Sequence, residues 1–207
     1  AMQKEMDALN LLYDRQRKQY QIARQNVQII NRKCHELKVQ IADLRRLQPD
    51  EATTQSLDEA EQAARMYDAN AATGNEVLDV VLTEKSLLCE AQRIRLNCVA
   101  DGTCLAAIEP GDLYALFSNL LDQAIDAAAQ QQNDRRMIDL LVCRRQGFAV
   151  INVIGPALSG SQSDHGRRHS YELKVARRVV QKYSGTMATE PRGELFAVKI
   201  VMPLTRG

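Results

Sequence analysis

PGDLYALFSNLLDQAIDAAAQQ, residues 110–131, decides how the second half of this chain reads. A proline at the first helical position suits a helix start, because the amide it lacks would have no intrahelical partner there. Working outward, EVLDVVLTEKSLLCEAQ (76–92) reads as a helix after the capping-box-like Thr73-Gly74-Asn75-Glu76, and RIRLNCVA (93–100) alternates like a strand. Downstream come two β-rich runs, MIDLLVCRR (137–145) and FAVINVI (148–154), with Gln146-Gly147 between them as a hairpin turn. A glycine- and serine-rich loop follows, then a helix SYELKVARRVVQKY (170–183) ended by Ser184-Gly185, and a last strand LFAVKIVMPL (195–204). Helices interleaved with strands in this order predict an α+β sandwich, with helices on one face of a mixed sheet.

The first half is different. Tyr13, Gln16, Tyr20, Ala23, Val27, Ile30, Cys34, Leu37, Ile41 and Leu44 alternate spacings of three and four, which is a heptad seam with Gln16 as its one plainly polar member. With Val27 and Cys34 at a positions, His35 falls at b and Glu36 at c, away from the seam, so His35 is expected at the surface. Periodicity alone leaves His35 open between a surface histidine without a task and a reactive group. Gln48-Pro49-Asp50 breaks the helix, and Ser56-x-x-Glu59 offers a capping box for a second one with seam Leu57, Ala60, Ala64, Tyr67 and Ala71. One apolar stripe per helix is not fully covered within a lone hairpin, so two chains are expected to pair into a dimeric four-helix bundle. The expected division is a helical hairpin over 2–73 and the sandwich over 74–207.

Composition narrows the function classes. The chain has 207 residues, 45% of them hydrophobic, enough for a packed core. Lys plus Arg number 27 against 26 Asp plus Glu, a net charge of +1, so nothing argues for nucleic acid as a partner. Five cysteines without C-x-x-C spacing suit reduced thiols and make structural zinc an unattractive reading. Asp164, His165 and His169 are metal-ligand types, but Gly166 interrupts them and the segment reads as a solvated loop. No run reaches the ~18 apolar residues of a membrane span. The chain opens inside a helical pattern with Ala before Met, which reads as a fragment lacking its upstream part.

LYALFSNLLDQAIDAA followed by HSYELKVARRVVQKYSG resembles the ATP-binding domain of sensor histidine kinases within the GHKL, or Bergerat-fold, ATPases, and most resembles the peptide-quorum-sensing receptor kinases. The first half, with CHELK, resembles that family's dimerisation and phosphoacceptor hairpin. The resemblance implies ATP-dependent autophosphorylation on His35, with Glu36 as the neighbouring base, and transfer of the phosphoryl group to a response regulator. It also implies ATP and Mg²⁺ as cofactors, a homodimer through the hairpin, and the cytoplasmic part of a membrane-anchored bacterial receptor.

By the same resemblance, Asn119 and Gln123 stand at the two positions of the N-x-x-x-N motif that contact magnesium and nucleotide. His169, Ser170, Tyr171, Glu172, Leu173 and Lys174 stand where the family opens its phosphate-binding helix with H-G-x-G-L. Gln123 carries the amide one methylene further out than asparagine, against an Mg²⁺ shell that demands near-ideal octahedral geometry. Both family glycines are absent, and Glu172 is expected in the first turn of the helix beginning at Ser170, where it would repel a triphosphate and satisfy the helix dipole itself. Gly155 stands in place of the family's asparagine, no D-x-G-x-G motif is present, and 13 residues separate Gly155 from His169, fewer than the family's lid. The expectation is weak or lost ATP binding, with a catalytically degenerate histidine-kinase-like dimeric signalling module as the alternative.

Overall fold

The computed structural model describes residues 2–68, 72–158 and 164–204, with the side chains of 66–68 and 164–170 outside that set. Helix α1 spans Met2–Arg46 and α2 Glu51–Asp68. At 1.5 Å per residue these are about 68 Å and about 27 Å long, so α2 lies against only the C-terminal part of α1. Asp50 starts α2, its carboxylate accepting from the Thr53 amide at 2.8 Å. The Ser56 box therefore lies inside the helix, where the Ser56 hydroxyl instead bonds the Ala52 carbonyl at 3.2 Å. An aspartate directly after Pro49 outcompetes a serine further on, because helix can begin as soon as the proline is passed.

The rest is the expected α+β sandwich: α3 (Glu76–Ala91), β1 (Arg95–Ala100), α4 (Pro110–Ala129), β2 (Met137–Arg145), β3 (Phe148–Pro156), α5 (Asp164–Lys182), β4 (Thr186–Arg192) and β5 (Leu195–Pro203). The sheet order is β1-β2-β3-β5-β4, with β1 parallel to β2 and the other pairs antiparallel. Asn75 caps α3, its side-chain oxygen accepting from the amides of Val77 and Leu78. Gln146 and Gly147 both take positive φ, 47° and 84°, as a tight β2–β3 hairpin requires.

Strand β4 is absent from the sequence reading. TMATEPR buries only Met187 and contains Pro191, so it carries no apolar alternation, and its place at the sheet edge is where proline is tolerated. Gly193, at φ 63°, and Glu194 turn it into β5.

Helices α3, α4 and α5 cover one face of the sheet, and α1 crosses them as a further layer. Helix α4 is consequently buried almost all round, from Asp112 to Ala128. The seam of α1 is divided between two partners. Tyr13, Tyr20, Ala23 and Val27 belong to the sandwich core, while Cys34 and Ile41 are buried outside it, along the stretch that faces α2 with its buried Leu57 and Ala64. Leu37 and Leu44, expected in the seam, are 40% and 49% exposed. A straight helix drifts about 20° per heptad against a 3.5-residue repeat, and one short partner covers a narrower stripe than a bundle would.

Candidate functional site

His35 sits on α1 with its side chain exposed, beside the exposed Glu36. Lys33 bonds Glu36 at 2.8 Å and holds its carboxyl below the usual range, which keeps Glu36 ionised and makes it a weaker base than a free glutamate. About 28 Å of helix lies between His35 and Gln16.

Gln16 matters because it reaches the centre of the sandwich's helical layer. A cleft of about 550 Å³ is lined by Asn119 and Asp122 of α4 and by Tyr171, Glu172 and Val175 of α5, and roofed by Leu12, Arg15, Gln16 and Gln19 of α1. Asn119 is 1% exposed, and its amide is fully engaged. Its Oδ1 accepts from Gln16 Nε2 at 3.0 Å, while its Nδ2 donates to Gln16 Oε1 at 2.5 Å and to the Ala115 carbonyl at 2.6 Å. Gln16, the polar exception in the seam, is the residue that reads the Asn119 amide.

The structure thus brings Asn119, Tyr171 and Glu172 together. Gln123 is buried one turn further along α4 and does not line this cleft. Leu173 packs against the core, and the side chains of His169 and Ser170 lie outside the described residues. Lys174 pairs with Glu5 of α1 and lies 5.4 Å from the Tyr171 ring. Helix α5 begins at Asp164 rather than Ser170, which also places Asp164, His165 and His169 in helix rather than in a loop. No proline interrupts DHGRRHS, and Gly166 costs a helix only about 1 kcal/mol. Glu172 accordingly stands about two turns inside the helix, buried at 8% exposure, instead of in the first turn where it would meet the dipole.

Two charge clusters were not legible as sites. Below the cleft, Lys85 of α3 is 7% exposed at its side chain, 2.7 Å from Asp122 and 3.2 Å from Glu84. Burial alone would lower its pKa, but the two carboxylates hold the ammonium above its ordinary 10.5. At the α1–α4–α5 junction the fully buried carboxylate of Asp112 accepts from the Tyr13 hydroxyl, from Lys182 at 2.6 Å and from the Tyr183 hydroxyl at 2.7 Å, with Arg17 Nε 3.1 Å away. Burial works to raise the Asp112 pKa, yet these donors bring it below 3.8. Burial first, and then this carboxylate, push the Tyr13 hydroxyl up to about 12, so it remains a donor. The Tyr183 hydroxyl also accepts the Glu109 amide at 2.9 Å, tying the start of α4 to the end of α5.

No disulfide joins any two of the cysteines among the described residues, and burial pushes the Cys89 thiol up to about 11, far from a reactive thiolate. Among the described residues no group of three His, Cys, Asp or Glu side chains could hold a metal, and no helix is long and apolar enough to cross a membrane.

A mixed five-stranded sheet carrying one layer of helices, with a cleft between α4 and α5, is the GHKL α/β fold. Residues 108–203 match the family model of the GHKL domain. Among solved structures, the catalytic domain of the histidine kinase ThkA is similar at 15% identity over 65% of this chain and 94% of that one, with a TM-score of 0.50. The histidine kinase AdeS of Acinetobacter baumannii is 15% identical over 83% and 98%, at a TM-score of 0.46. The histidine kinase domain of a blue-light-activated kinase of Erythrobacter litoralis is 15% identical over 87% and 94%, at 0.42. No curated protein matches. The ThkA likeness establishes the fold alone.

Proposed function

We propose that the chain is the cytoplasmic signalling part of a two-component sensor histidine kinase, with His35 as phosphoacceptor and Glu36 as its neighbouring base. The observation that carries the reading is the joining, in one chain, of a GHKL fold to a long helix bearing an exposed His-Glu pair. A bound nucleotide would supply the phosphoryl group, with the His35 imidazole as the group to receive it and Glu36 as the carboxylate beside it. A response regulator's aspartate would then take the phosphoryl group. The other stripe of α1, with Ile22, Ile29, Leu37 and Leu44 all at least 40% exposed, is the surface available to a second copy, so the active form is a homodimer. The hairpin over 2–73 and the domain over 74–207 are the working units, although α1 packs on both.

The arrangement of these residues does not fit magnesium nucleotide. The Asn119 amide oxygen is taken by Gln16, Asp122 and Glu172 add carboxylates to the cleft, and His35 is some tens of ångströms from it by helix length. No phosphoryl step follows from this state. The substitutions at Gln123, Ser170 and Glu172 favour a second reading, a histidine-kinase-like module that signals through its helices without ATP. Calorimetric titration with MgATP and MgADP separates the two. Binding in the micromolar to low millimolar range, with label transferred from ATP to wild type and absent from His35→Gln, supports the kinase. Silence at several millimolar supports the module.

A further inference from the structure

The two edges of the sheet are finished differently. Strand β4 closes one edge with Pro191 between the paired charges Glu190 and Arg192, which discourages a further strand from adding there. Strand β1 closes the other as RLNCVA, without a proline, a lysine or a carboxylate, and it pairs with β2 alone. Val99 on this edge is 71% exposed, and Cys98 beside it is the exposed cysteine of the chain.

The phase of the β1–β2 ladder shows which backbone groups of the edge are unused. The Arg95 amide donates to the Arg136 carbonyl and the Asp101 amide to the Val142 carbonyl, each at 2.8 Å, so the odd-numbered amides between them point at β2. Leu96, Cys98 and Ala100 turn their amides and carbonyls away from the sheet. An antiparallel neighbour must set outward groups against outward groups, so a second β1 fits only with even residue opposite even residue. Centring the pair on Cys98 uses all of them. Leu96 then faces Ala100 of the second copy, Cys98 faces Cys98, and Ala100 faces Leu96, each pair exchanging two hydrogen bonds.

In that register Arg95 lies opposite Asp101 of the second copy at both ends of the ladder. Arg95 is exposed and has no ion pair among the described residues. Asp101 is exposed too, and its Oδ1 accepts from Thr103 while Oδ2 is left for a partner. The stretch from Arg95 to Asp101 is thus complementary in charge to itself when reversed, with opposite charges where like charges would repel.

We propose that β1 is a self-pairing edge, through which two copies of this chain join their sheets into one about a two-fold axis at Cys98. The contact goes beyond the kinase reading and does not depend on it. It is also separate from pairing through the exposed stripe of α1, and a chain carrying both self-complementary surfaces links dimers into an alternating row. Two strands of six residues bury little area, so the contact is weak between free chains and strengthens where copies are already held together.

The test uses the whole chain and compares wild type with Ala100→Pro and Arg95→Glu over micromolar to millimolar concentrations. Ala100→Pro removes an outward amide and leaves the ladder to β2 intact, while Arg95→Glu sets two carboxylates together at each end. Thermal melts and continued protection of the Asn97 and Val99 amides report that each variant is folded. Residue-resolved amide exchange should show Leu96, Cys98 and Ala100 gaining at least fivefold protection as wild type is concentrated, and no such gain in either variant. A short bismaleimide, each thiol adding across one maleimide double bond, should link Cys98 to Cys98, whose Cα atoms lie about 5.5 Å apart in such a pair. The yield should fall at least tenfold in Ala100→Pro and several-fold in Arg95→Glu.

Exchange of the Leu96, Cys98 and Ala100 amides at one rate whatever the concentration overturns the self-pairing edge. So do equal link yields in wild type and Arg95→Glu, a comparison that stands even where Ala100→Pro fails to fold. Protection that arises only when an unrelated extended peptide is added assigns the edge to a foreign strand and likewise overturns pairing with a second copy.

Discussion

The two halves of α1 follow one heptad rule and end in different company. Upstream of residue 28 the seam enters the core of the sandwich, and its buried residues are accompanied by matched polar partners: Tyr13 with Asp112, Gln16 with Asn119. Downstream, Cys34 and Ile41 are buried along the stretch facing α2, and the accompanying charges stay near the surface, as in Arg45 with Asp58 and Glu61. An apolar repeat specifies that a stripe will be covered but not by what. The polar residues embedded in it select the partner, because an amide or hydroxyl that loses water must find a complementary group.

If that is right, the largest effect should come from the polar clasp that closes around Asp112 rather than from any apolar seam residue. Asp112→Ala leaves Lys182, Arg17 and two tyrosine hydroxyls facing an empty site, and is expected to destabilise the fold by about 3–5 kcal/mol. Denaturant unfolding measures this; a loss below about 1 kcal/mol would mean the clasp is incidental. The pH dependence has a definite sign. The folded Asp112 pKa lies below its ordinary 3.8, so its contribution is complete above about pH 4 and fades as pH falls through the folded value. Lys182, raised chiefly by its hydrogen bond to Asp112, contributes below its ordinary 10.5 and loses that contribution as pH rises beyond it. Thermal melts should therefore show a plateau between these limits, with an acid limb that is shallower in Asp112→Asn.

Two seam residues of α1 should make themselves felt in different places. Tyr20 is 5% exposed, with its ring centroid 5.8 Å from that of Tyr114 on α4. Tyr20→Ala opens a large void between α1 and the sandwich and is expected to cost about 3 kcal/mol, with faster exchange in α4. Ile41→Val removes one methylene where α1 faces α2, should cost about 1 kcal/mol, and should speed exchange in α2 while leaving α4 as it was. Equal responses of α4 to both changes would mean that the two halves of α1 form one cooperative unit and that the division drawn between them is artificial.

Much of this fold was legible in advance, and the failures have physical causes. Pro110, Gln146-Gly147 and the alternation in MIDLLVCRR are local signals, and the elements they mark form where the sequence places them. TMATEPR escaped because an edge strand with one buried residue has no alternation to detect. The early start of α5 escaped because glycine and histidine weaken a helix without forbidding it. At the site, the sequence picked out Asn119 and Glu172 but had no means of pairing Asn119 with Gln16, 103 positions away. The trace of that pairing was already present as a glutamine in an apolar seam. Asp112 left less trace still, since its partners come from α1 and from the end of α5, both far away in sequence, and a carboxylate near a helix start looks like an ordinary dipole partner.

The smallest expected effect is the most informative about the downstream half. Arg45 bonds Asp58 at 2.5 Å and Glu61 at 2.8 Å, which looks on paper as strong as the clasp. Its side chain is 34% exposed and that of Asp58 62%, so water competes for every charge and salt screens what remains. Arg45→Ala should therefore shift the midpoint of a thermal melt by no more than the scatter between repeats, and any shift should vanish in 1 M salt. A large, salt-resistant loss would show that the hairpin is held by its ion pairs, as the upstream half of α1 is tied at Asp112, and the contrast between the two halves of α1 would have to be abandoned.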